Sequence, residues 1–339
     1  MSDYEPWCDT YLPDLFDPGL FDDEETTEET MDAVQQLFQE TVLDLMDDLD
    51  SEEKDSMTDA LLEAAETWFR RHKEYILEST DPLEEETIAK ITGREQVAQH
   101  SAEWYNQRRN RLTASEFSQI LDGRRGALLR QKVAPASELA DSYGSTVALA
   151  QEDGEMMAFS WGHRFEPIVR AIYELEIAGP ATVCDTLGRF SHRDIPYLSA
   201  SPDGIVTKGA LAGRLLEIKA PKSRKPGLYV PYEYYVQMQI QMEVADLDAV
   251  DFVEAQFKQR HLTALSPEDW TELTGAVWKG RIQVTAKEGT LRYVYSAPVE
   301  DLEDAVIQPQ ATVIEDSVWW LTALYPRTVL RSAEWWNTI

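Results

Sequence analysis

Apolar residues recur at helical spacing from Met31 to about Glu78, with Val34, Phe38 and Leu61 among them. The spacing predicts two amphipathic helices that are broken near residues 50–55. Residues 1–30 are rich in Asp and Glu and have no sustained period, so we expect an acidic tail followed by an acidic helical extension over residues 31–90. Within residues 80–86, Asp81-Pro82 predicts a boundary, since proline disfavours helix at the residue before it.

Residues 96–260 alternate between helical and extended patterns. We expect helices over residues 113–121, 161–177 and 232–244, and strands over 187–191, 198–206, 214–219 and 249–257, the second strand being interrupted by Pro202-Asp203-Gly204. This order predicts an α/β (α+β) unit.

Residues 261–339 are expected to form a mixed C-terminal extension packed on this unit. The pattern of residues 291–295 predicts a strand, and that of residues 316–324 predicts an aromatic-rich helix. Its Trp319 and Trp320, with Trp335 and Trp336 further on, are interpreted as packing residues, because helical tryptophan usually fills core.

Composition limits the class of protein. The chain has 339 residues, 43% of them hydrophobic, which fits two domains or one enlarged domain with extensions. No apolar stretch approaches the ~20 residues of a membrane span, so we expect no membrane partner. The first residues are acidic where a signal peptide would be basic, so we expect an intracellular protein. Cys8 and Cys184 are too few for a four-cysteine metal site or a disulfide framework.

The formal net charge of −31 would argue against a polyanionic partner, but the charge is unevenly distributed. Residues 1–90 hold 29 Asp and Glu against 5 Lys and Arg, whereas residues 91–260 hold 22 against 20. Salt screens the acidic segment beyond about 8 Å, so residues 91–260 can still bind nucleic acid. The acidic segment itself can be a solubilising tail, a docking arm for a basic partner or a mimic of DNA.

One cluster of residues carries possible chemistry. Asp203 lies in a Ser-Pro-Asp-Gly turn, and Glu217 and Lys219 follow it on an apolar strand. Two strands that each present one carboxylate can bring both to one Mg²⁺ ion. Side chains alternate along a strand, so Lys219 points the same way as Glu217 and can position a metal-bound water for phosphodiester hydrolysis.

Two further segments add to this cluster. Glu166 lies near the start of a predicted helix and offers a third carboxylate, although an acidic residue is common there for the helix dipole alone. Arg108, Arg109 and Arg111 come shortly before the helix that begins near Thr113. Guanidinium groups beside helix N–H groups form a phosphate site.

Taken in order, these segments resemble a known family. The motifs W-x(3)-R-x(4)-TAS, G-x(3)-E-P, SPDG, LEIKAP and YY-x-QMQ-x-QM span about residues 98–258. They are similar to the lambda-exonuclease or YqaJ-type viral recombinase branch of the PD-(D/E)xK nucleases, which includes viral alkaline exonucleases. The resemblance implies a restriction-endonuclease-like core, a central mixed sheet flanked by helices.

The resemblance also implies residue roles. Asp203, Glu217 and the main-chain carbonyl of Ile218 would hold Mg²⁺, for which Mn²⁺ would substitute, while Lys219 would assist the attacking water and Glu166 would complete the acidic site. The residues implied for the terminal 5′-phosphate and DNA are Arg108, Ser115, Ser201 and Gln237, with Gln239 on the same helix added to the DNA-binding set. The implied activity is 5′ to 3′ digestion of linear duplex DNA, and the implied partners are a single-strand annealing protein and a homo-oligomer, a trimer in the lambda enzyme.

The sequence departs from the family in one respect and leaves two other functions open. The gap between Asp203 and Glu217 is long, which predicts an enlarged hairpin at Lys208–Gly213. A site-specific endonuclease with the same core and a non-catalytic DNA-end or protein-interaction module are the alternatives. His163 is interpreted as a structural residue, since no second His or Cys lies at metal-ligand spacing.

Overall fold

The computed structural model describes residues 4, 7–8, 11–12, 24–46, 50–77, 80–99, 101–133, 158–180, 182–227, 230–287, 290–308 and 311–339. The chain divides into two compact units, residues 1–79 with 227–230, and residues 80–226 with 231–339. The division at Thr80 falls in the predicted boundary. No helix among the described residues is long and apolar enough to cross a membrane.

Among the described residues, the first unit contains the helices α1 (Glu24–Thr41) and α2 (Ser51–Leu77), with a short 3-10 turn at Leu43–Leu45 between them. Helix α1 begins within the predicted tail, because acidic residues at the start of a helix are stabilised by its dipole. Phe38 is buried, and the rings of Tyr4 and Trp7 meet it edge-on at 5.8 and 5.5 Å. Tyr4 and Trp7 therefore pack on α1.

The second unit alternates helices and strands, as predicted. Its helices are α3 (Glu85–Thr92), α4 (Ala102–Asn110), α5 (Ala114–Leu121), α6 (Arg125–Val133), α7 (Ala158–Tyr173), α8 (Tyr232–Ala245), α9 (Pro267–Gly275) and α10 (Ala333–Trp336). Its strands are β1 (Leu112–Thr113), β2 (Val183–Cys184), β3 (Phe190–Ser191), β4 (Leu198–Ala200), β5 (Gly204–Val206), β6 (Leu215–Lys219), β7 (Ala249–His261), β8 (Lys279–Lys287), β9 (Thr290–Tyr295) and β10 (Thr312–Leu330).

Seven of the strands form one mixed sheet in the order β2-β5-β6-β7-β10-β8-β9. Strands β6 and β7 are parallel, with Lys219 opposite Glu254, and α8 is the crossover between them. All other neighbours in this sheet are antiparallel. The predicted class, a mixed sheet flanked by helices, is confirmed.

A small second sheet has the order β1-β4-β3. The stretch predicted as one interrupted strand over residues 198–206 supplies β4 to this sheet and β5 to the large one. Pro202-Asp203 therefore lies where the chain passes from one sheet to the other. The hairpin from β5 to β6 is long, as predicted, and Gly213 within it has φ 96°, a left-handed conformation that favours glycine.

The main core lies between α7 and the large sheet. Trp161, Phe165 and Val169 on α7 pack with Ile218 of β6 and with residues of β7 and β10. The rings of Phe165 and Phe257 stack with their centroids 4.5 Å apart. Because Ile218 faces this core, its neighbours Glu217 and Lys219 face the opposite side of the sheet.

The prediction of a helix over residues 316–324 is wrong, because this segment lies inside β10. Strand β10 pairs with β7 along one edge and with β8 along the other. Both faces are buried at its centre, so Trp319 and Trp320 are buried on opposite sides and the pattern does not alternate. A continuous apolar run cannot distinguish a buried strand from a buried helix by period alone. Both tryptophans are nevertheless packing residues, as predicted.

Replacing Trp319 by alanine tests this core. Trp319 is fully buried, and a Cβ atom on Gly280 would come within 2.6 Å of its ring, so the site is closely packed. We expect Trp319→Ala to lower the free energy of unfolding by about 3–5 kcal/mol, measured by urea denaturation. Trp270→Ala, at a side chain that is 44% exposed on α9, is the control and should cost no more than about 1 kcal/mol. Equal losses would contradict the packing assigned to Trp319.

Candidate active site

A cleft of about 610 Å³ opens at the carboxyl end of β6. Nine of the ten residues predicted for the site line it, namely Arg108, Ser115, Glu166, Ser201, Asp203, Glu217, Ile218, Lys219 and Gln237. The carboxyl end of a strand beside a parallel neighbour is where ligands bind in open α/β sheets.

The pairing of β5 with β6 brings Asp203 to Glu217. Gly204 is opposite Leu216 in this hairpin, and the Asp203 N–H donates to the carbonyl of Leu216 at 3.0 Å. The Ile218 N–H in turn donates to Asp203 Oδ2 at 2.7 Å. The strand pairing and this hydrogen bond therefore hold the Asp203 carboxylate beside Glu217 and Lys219, the neighbours of Ile218 in β6.

Glu217 is buried, with 1% of its surface exposed, and three side chains compensate its charge. Gln237 Nε2 donates to Oε1 at 2.6 Å, and Gln241 Nε2 donates to Oε2 at 2.6 Å. Lys219 Nζ also donates to Oε1. A buried carboxylate requires such donors, because it has lost its hydration.

Burial and neighbouring carboxylates raise the pKa values of Asp203 and Glu166. The pKa of Asp203 is well above its usual range, first because of burial and then because of the charges of Glu217 and Glu166. Burial likewise raises the pKa of Glu166. Burial acts to lower the pKa of Lys219, but Glu217 and Asp203 outweigh it and raise that pKa, so Lys219 is a cation at neutral pH. Asp203, Glu217 and Glu166 therefore lie close enough to Lys219 for their charges to interact with it.

This donor set fits a hard divalent cation. Among the described residues, no three His, Cys, Asp or Glu side chains are arranged so as to hold a metal ion by themselves. Asp203 and Glu217 supply carboxylate oxygens, and Ile218 supplies a main-chain carbonyl at the strand end. Mg²⁺ is commonly bound by only one or two carboxylates and keeps several waters, so the set is sufficient for it.

Arginine, serine and tryptophan side chains form another part of the cleft. The Trp104 indole N–H donates to Ser201 Oγ at 3.1 Å, and the Arg108 guanidinium lies over the Trp104 ring at 6.0 Å. Ser115 is in the first turn of α5, and its Oγ is 3.3 Å from Thr113 Oγ1. A guanidinium, hydroxyl groups and helix N–H groups together suit a phosphate.

Glu116, which the sequence analysis did not single out, holds Arg108 in place. Its buried carboxylate accepts from Arg108 Nε at 3.1 Å and from Lys132 Nζ at 2.6 Å. The same carboxylate accepts from the main-chain N–H of Thr113 at 3.0 Å. Glu116 thus ties the arginine, the start of α5 and helix α6 together. Its place in the capping box of α5 was the sequence signal for it.

Gln239 is the one predicted site residue that the structure does not bring to the cleft. Its Nε2 donates to the carbonyl of Leu330 at 2.7 Å, and its Oε1 accepts from the Ser332 N–H at 2.8 Å. Residues two apart on a helix point to opposite sides, so Gln239 faces away from Gln237. Its placement in the DNA-binding set is corrected, and it holds the end of β10.

Other residues that the sequence analysis missed also line the cleft. Gln241 holds Glu217, as above, and its spacing of four from Gln237 was the available signal. Arg224 donates to the buried Glu254 and lies over the Tyr234 ring at 5.8 Å. His163 lines the cleft as well, with Nδ1 at 3.9 Å from Glu166 Oε2.

Comparison with known proteins agrees with this geometry. Residues 103–248 match the sequence model of the YqaJ-like viral recombinase domain. The "Uncharacterized protein R354" of Acanthamoeba polyphaga mimivirus is 29% identical over 178 residues, which is 48% of this chain and 30% of that protein. The chain therefore spans less than a third of the length of this relative.

Two solved structures are also similar. One is LHK-Exo in complex with dAMP, 26% identical over 45% of this chain and 73% of that chain, with a TM-score of 0.30. The other is an alkaline exonuclease (LHK-Exo) from Laribacter hongkongensis, 22% identical over 59% of this chain and 84% of that chain, with a TM-score of 0.30.

The structure shows a mixed α/β domain with Asp203 in a turn and Glu217 and Lys219 on the next strand. The match of residues 103–248 to the YqaJ-like viral recombinase model agrees with the family that the sequence motifs resemble.

The contacts of Glu116 predict a pH-dependent stability. Burial acts to raise its pKa, but Arg108 and Lys132 outweigh it and lower the pKa below the usual 4.5. The ion pairs therefore stabilise the fold above that pH, and their contribution is lost as the pH falls through the pKa of the folded state. We expect Glu116→Gln to lower the free energy of unfolding by up to about 3 kcal/mol near neutral pH. Breaking a buried ion pair is costly, but the loss is limited here because Arg108 and Lys132 are partly exposed.

Urea denaturation at a series of pH values measures this difference between the wild type and the variant. The difference should shrink as the pH falls below about 4.5. Glu103→Gln, at an exposed acid on α4, is the control and should show almost no difference at any pH. A loss for Glu116→Gln that stays constant down to the acid limit would contradict the assigned ion pairs.

Proposed function

We propose that this chain is a Mg²⁺-dependent DNA exonuclease that digests linear duplex DNA from a 5′-phosphorylated end. The observation that carries the proposal is the meeting, in one cleft, of the acidic pair Asp203 and Glu217 with Lys219 and the phosphate-type group of Arg108, Ser115 and Ser201. The match to the YqaJ-like viral recombinase domain supports it.

The acidic end of the cleft would carry out hydrolysis. Asp203, Glu217 and the Ile218 carbonyl would hold the cation, and Glu166 would hold it directly or through water. A bound Mg²⁺ or Mn²⁺ ion would polarise the phosphodiester and lower the pKa of a water molecule. Lys219, fixed by Glu217 and kept positively charged, would orient the attacking water and offset the charge of the phosphate.

The basic end of the cleft would set the direction of digestion. Arg108, Ser115, Ser201 and Gln237 would bind the terminal 5′-phosphate. Ser201 and Asp203 are two residues apart in one turn, so a phosphate held at Ser201 places the next phosphodiester near Asp203. This arrangement favours 5′ to 3′ removal of nucleotides, in recombination, replication or repair of a viral type.

From the family resemblance we also propose a partner protein and an oligomeric state. A single-strand annealing protein would take the strand that digestion exposes, and a homo-oligomer, a trimer by resemblance, would encircle DNA. Both stay predictions, as does an intracellular location.

Digestion of labelled duplexes tests the activity itself. The wild type is incubated with linear duplex labelled at the 5′ or the 3′ end, with phosphorylated or hydroxyl 5′ ends, and with a covalently closed circle of the same sequence. We expect Mg²⁺-dependent release of 5′-terminal nucleotides and an intact circle. Cutting of the circle at the same rate would favour the endonuclease alternative, and DNA binding without any cutting would favour the non-catalytic module.

Removing one charge from the acidic pair should stop hydrolysis. Asp203→Asn keeps the shape of the side chain but weakens the cation site, so we expect kcat to fall by more than the roughly 10- to 100-fold that loss of an outer partner costs. DNA binding in Ca²⁺ should be largely kept. Asp248→Asn, at a side chain that is 85% exposed, is the matched control and should cut as the wild type does. Wild-type turnover by Asp203→Asn would refute the assigned site.

Removing the Arg108 guanidinium should weaken end recognition. One charge-assisted phosphate contact contributes about 1.5–3 kcal/mol, which is roughly a 10- to 150-fold change. We expect Arg108→Gln to lower the preference for phosphorylated over hydroxyl 5′ ends by this factor in kcat/KM. Arg193→Gln, at an arginine whose side chain is 81% exposed, is the control. If Arg108→Gln kept the full preference, the phosphate site would lie elsewhere.

A further inference from the structure

Two glutamines of α8 hold the two oxygens of one carboxylate. Gln237 and Gln241 are four residues apart, so their side chains lie on the same face of the helix. Gln237 Nε2 is 2.6 Å from Glu217 Oε1, and Gln241 Nε2 is 2.6 Å from Glu217 Oε2. Helix α8 therefore fixes the plane of the Glu217 carboxylate through two hydrogen bonds.

The two oxygens of Glu217 are not equivalent. Oε1 accepts from both Gln237 and Lys219, which uses both of its lone pairs. Oε2 accepts from Gln241 alone among the described residues, so one of its lone pairs is left. The oxygen that Gln241 holds is thus the one with the capacity to bind a cation.

The amide of Gln241 is itself held in one orientation. Its side chain is completely buried and lines the cleft, and its Oε1 has no hydrogen-bond partner in the described part of the chain. Turning the amide over would set Oε1 against Glu217 Oε2, two acceptors without a proton between them. Glu217 therefore keeps Gln241 in the orientation that leaves Oε1 unsatisfied.

A neighbouring glutamine shows what a purely structural role looks like. Gln239, two residues earlier on α8, is as deeply buried, but its nitrogen and its oxygen both bond to main-chain groups near the end of β10. Gln241 lines the cleft instead, and its Oε1 has no partner among the described residues. Buried polar atoms are normally hydrogen-bonded, so an open acceptor on a residue of the cleft is a place where a ligand or a water of the site can bind.

We propose that Gln241 is a positioning residue that turns Glu217 Oε2 toward the divalent cation of the cleft, with its own Oε1 accepting a hydrogen bond from water at that site. The proposal rests on the metal-dependent hydrolysis proposed above. Outer partners of this kind orient a ligand and commonly change metal affinity about 10- to 100-fold.

Binding of Mn²⁺ alone tests this role without any DNA present. Gln241→Met has a similar volume but cannot donate to Glu217. We expect its Kd for Mn²⁺, measured by electron paramagnetic resonance of free Mn²⁺, to rise about 10- to 100-fold. In the nuclease assay, kcat should fall at low Mn²⁺ and recover at high Mn²⁺, while KM for DNA ends stays unchanged. A purely structural defect would not be rescued by the metal.

The chain offers a matched control in Gln283 of β8. It is also buried, its Nε2 donates to Asp316 Oδ2 at 3.0 Å, and its Oε1 has no partner among the described residues. It does not line the cleft. Gln283→Met should therefore disturb the fold to a similar degree and leave the Kd for Mn²⁺ as in the wild type.

Two results would overturn the proposal for Gln241. One is wild-type Mn²⁺ affinity in Gln241→Met, and the other is an equal loss of affinity in Gln283→Met. If Gln241→Met fails to fold, Gln241→Asn replaces it, since the shorter side chain keeps the amide but cannot reach Glu217, and the same loss is expected. A wild type that neither binds Mn²⁺ nor cuts DNA would refute the proposed function as well, which separates the two failures.

Discussion

The burial of the Glu217 carboxylate is the constraint on which the site depends. A charge that is removed from water must be compensated by donors at hydrogen-bond distance, since its hydration cannot be recovered elsewhere. Strand β6 can carry the buried Glu217 only because α8 turns two amides toward it. This explains why α8, most of whose residues are buried, carries glutamines inside rather than a simple apolar stripe.

Further buried charges fix the ends of β6 to its neighbour β7. Arg214, directly before β6, donates to Asp251 of β7 at 3.0 Å. Arg224, shortly after β6, donates to Glu254 of β7, which also accepts from the buried Arg327. Loss of Arg214 would leave the buried Asp251 carboxylate without the arginine that pairs with it, which is strongly destabilising. The strand that carries Glu217 is therefore held at both ends, so its carboxylate meets Asp203 in a defined position.

The sequence predicted the parts of the fold whose signal is local. Strand β6 and helix α8 lie within a residue or two of their predicted bounds, because each forms from one short, continuous stretch of the sequence. Strand β10 could not be identified in this way, since its burial on both faces is produced by α7 and α9, which are distant in sequence. Packing between segments that are distant in sequence therefore determines that residues 312–330 form a strand, which the hydrophobic period alone does not indicate.

The site shows the same division between local and distant information. Motif order predicted Asp203, Glu217 and Lys219 for the acidic site, and it placed Gln237 and Gln239 of α8 in one DNA-binding set. Helical geometry separates them, since a rotation of about 100° per residue sets Gln237 and Gln241 together and Gln239 opposite. The contacts of Glu116 and Gln241 depend on how α5, α8 and β6 pack, so no spacing in the sequence could assign their partners.

An acidic chain can still bind a polyanionic substrate, because its acidic excess and the basic residues of the cleft belong to different segments of the sequence. The net charge is −31, but the segment 1–90 carries most of the excess, whereas the lining of the cleft includes five Lys and Arg side chains around its acids: Arg108, Arg189, Lys219, Lys222 and Arg224. At physiological salt, charges farther away than about 8 Å are largely screened. The charges that act most strongly on a phosphate inside the cleft are therefore these five side chains and a bound divalent ion. Such an ion would also reduce the repulsion of Asp203 by Glu217 and Glu166, which adds to burial in raising the pKa of Asp203.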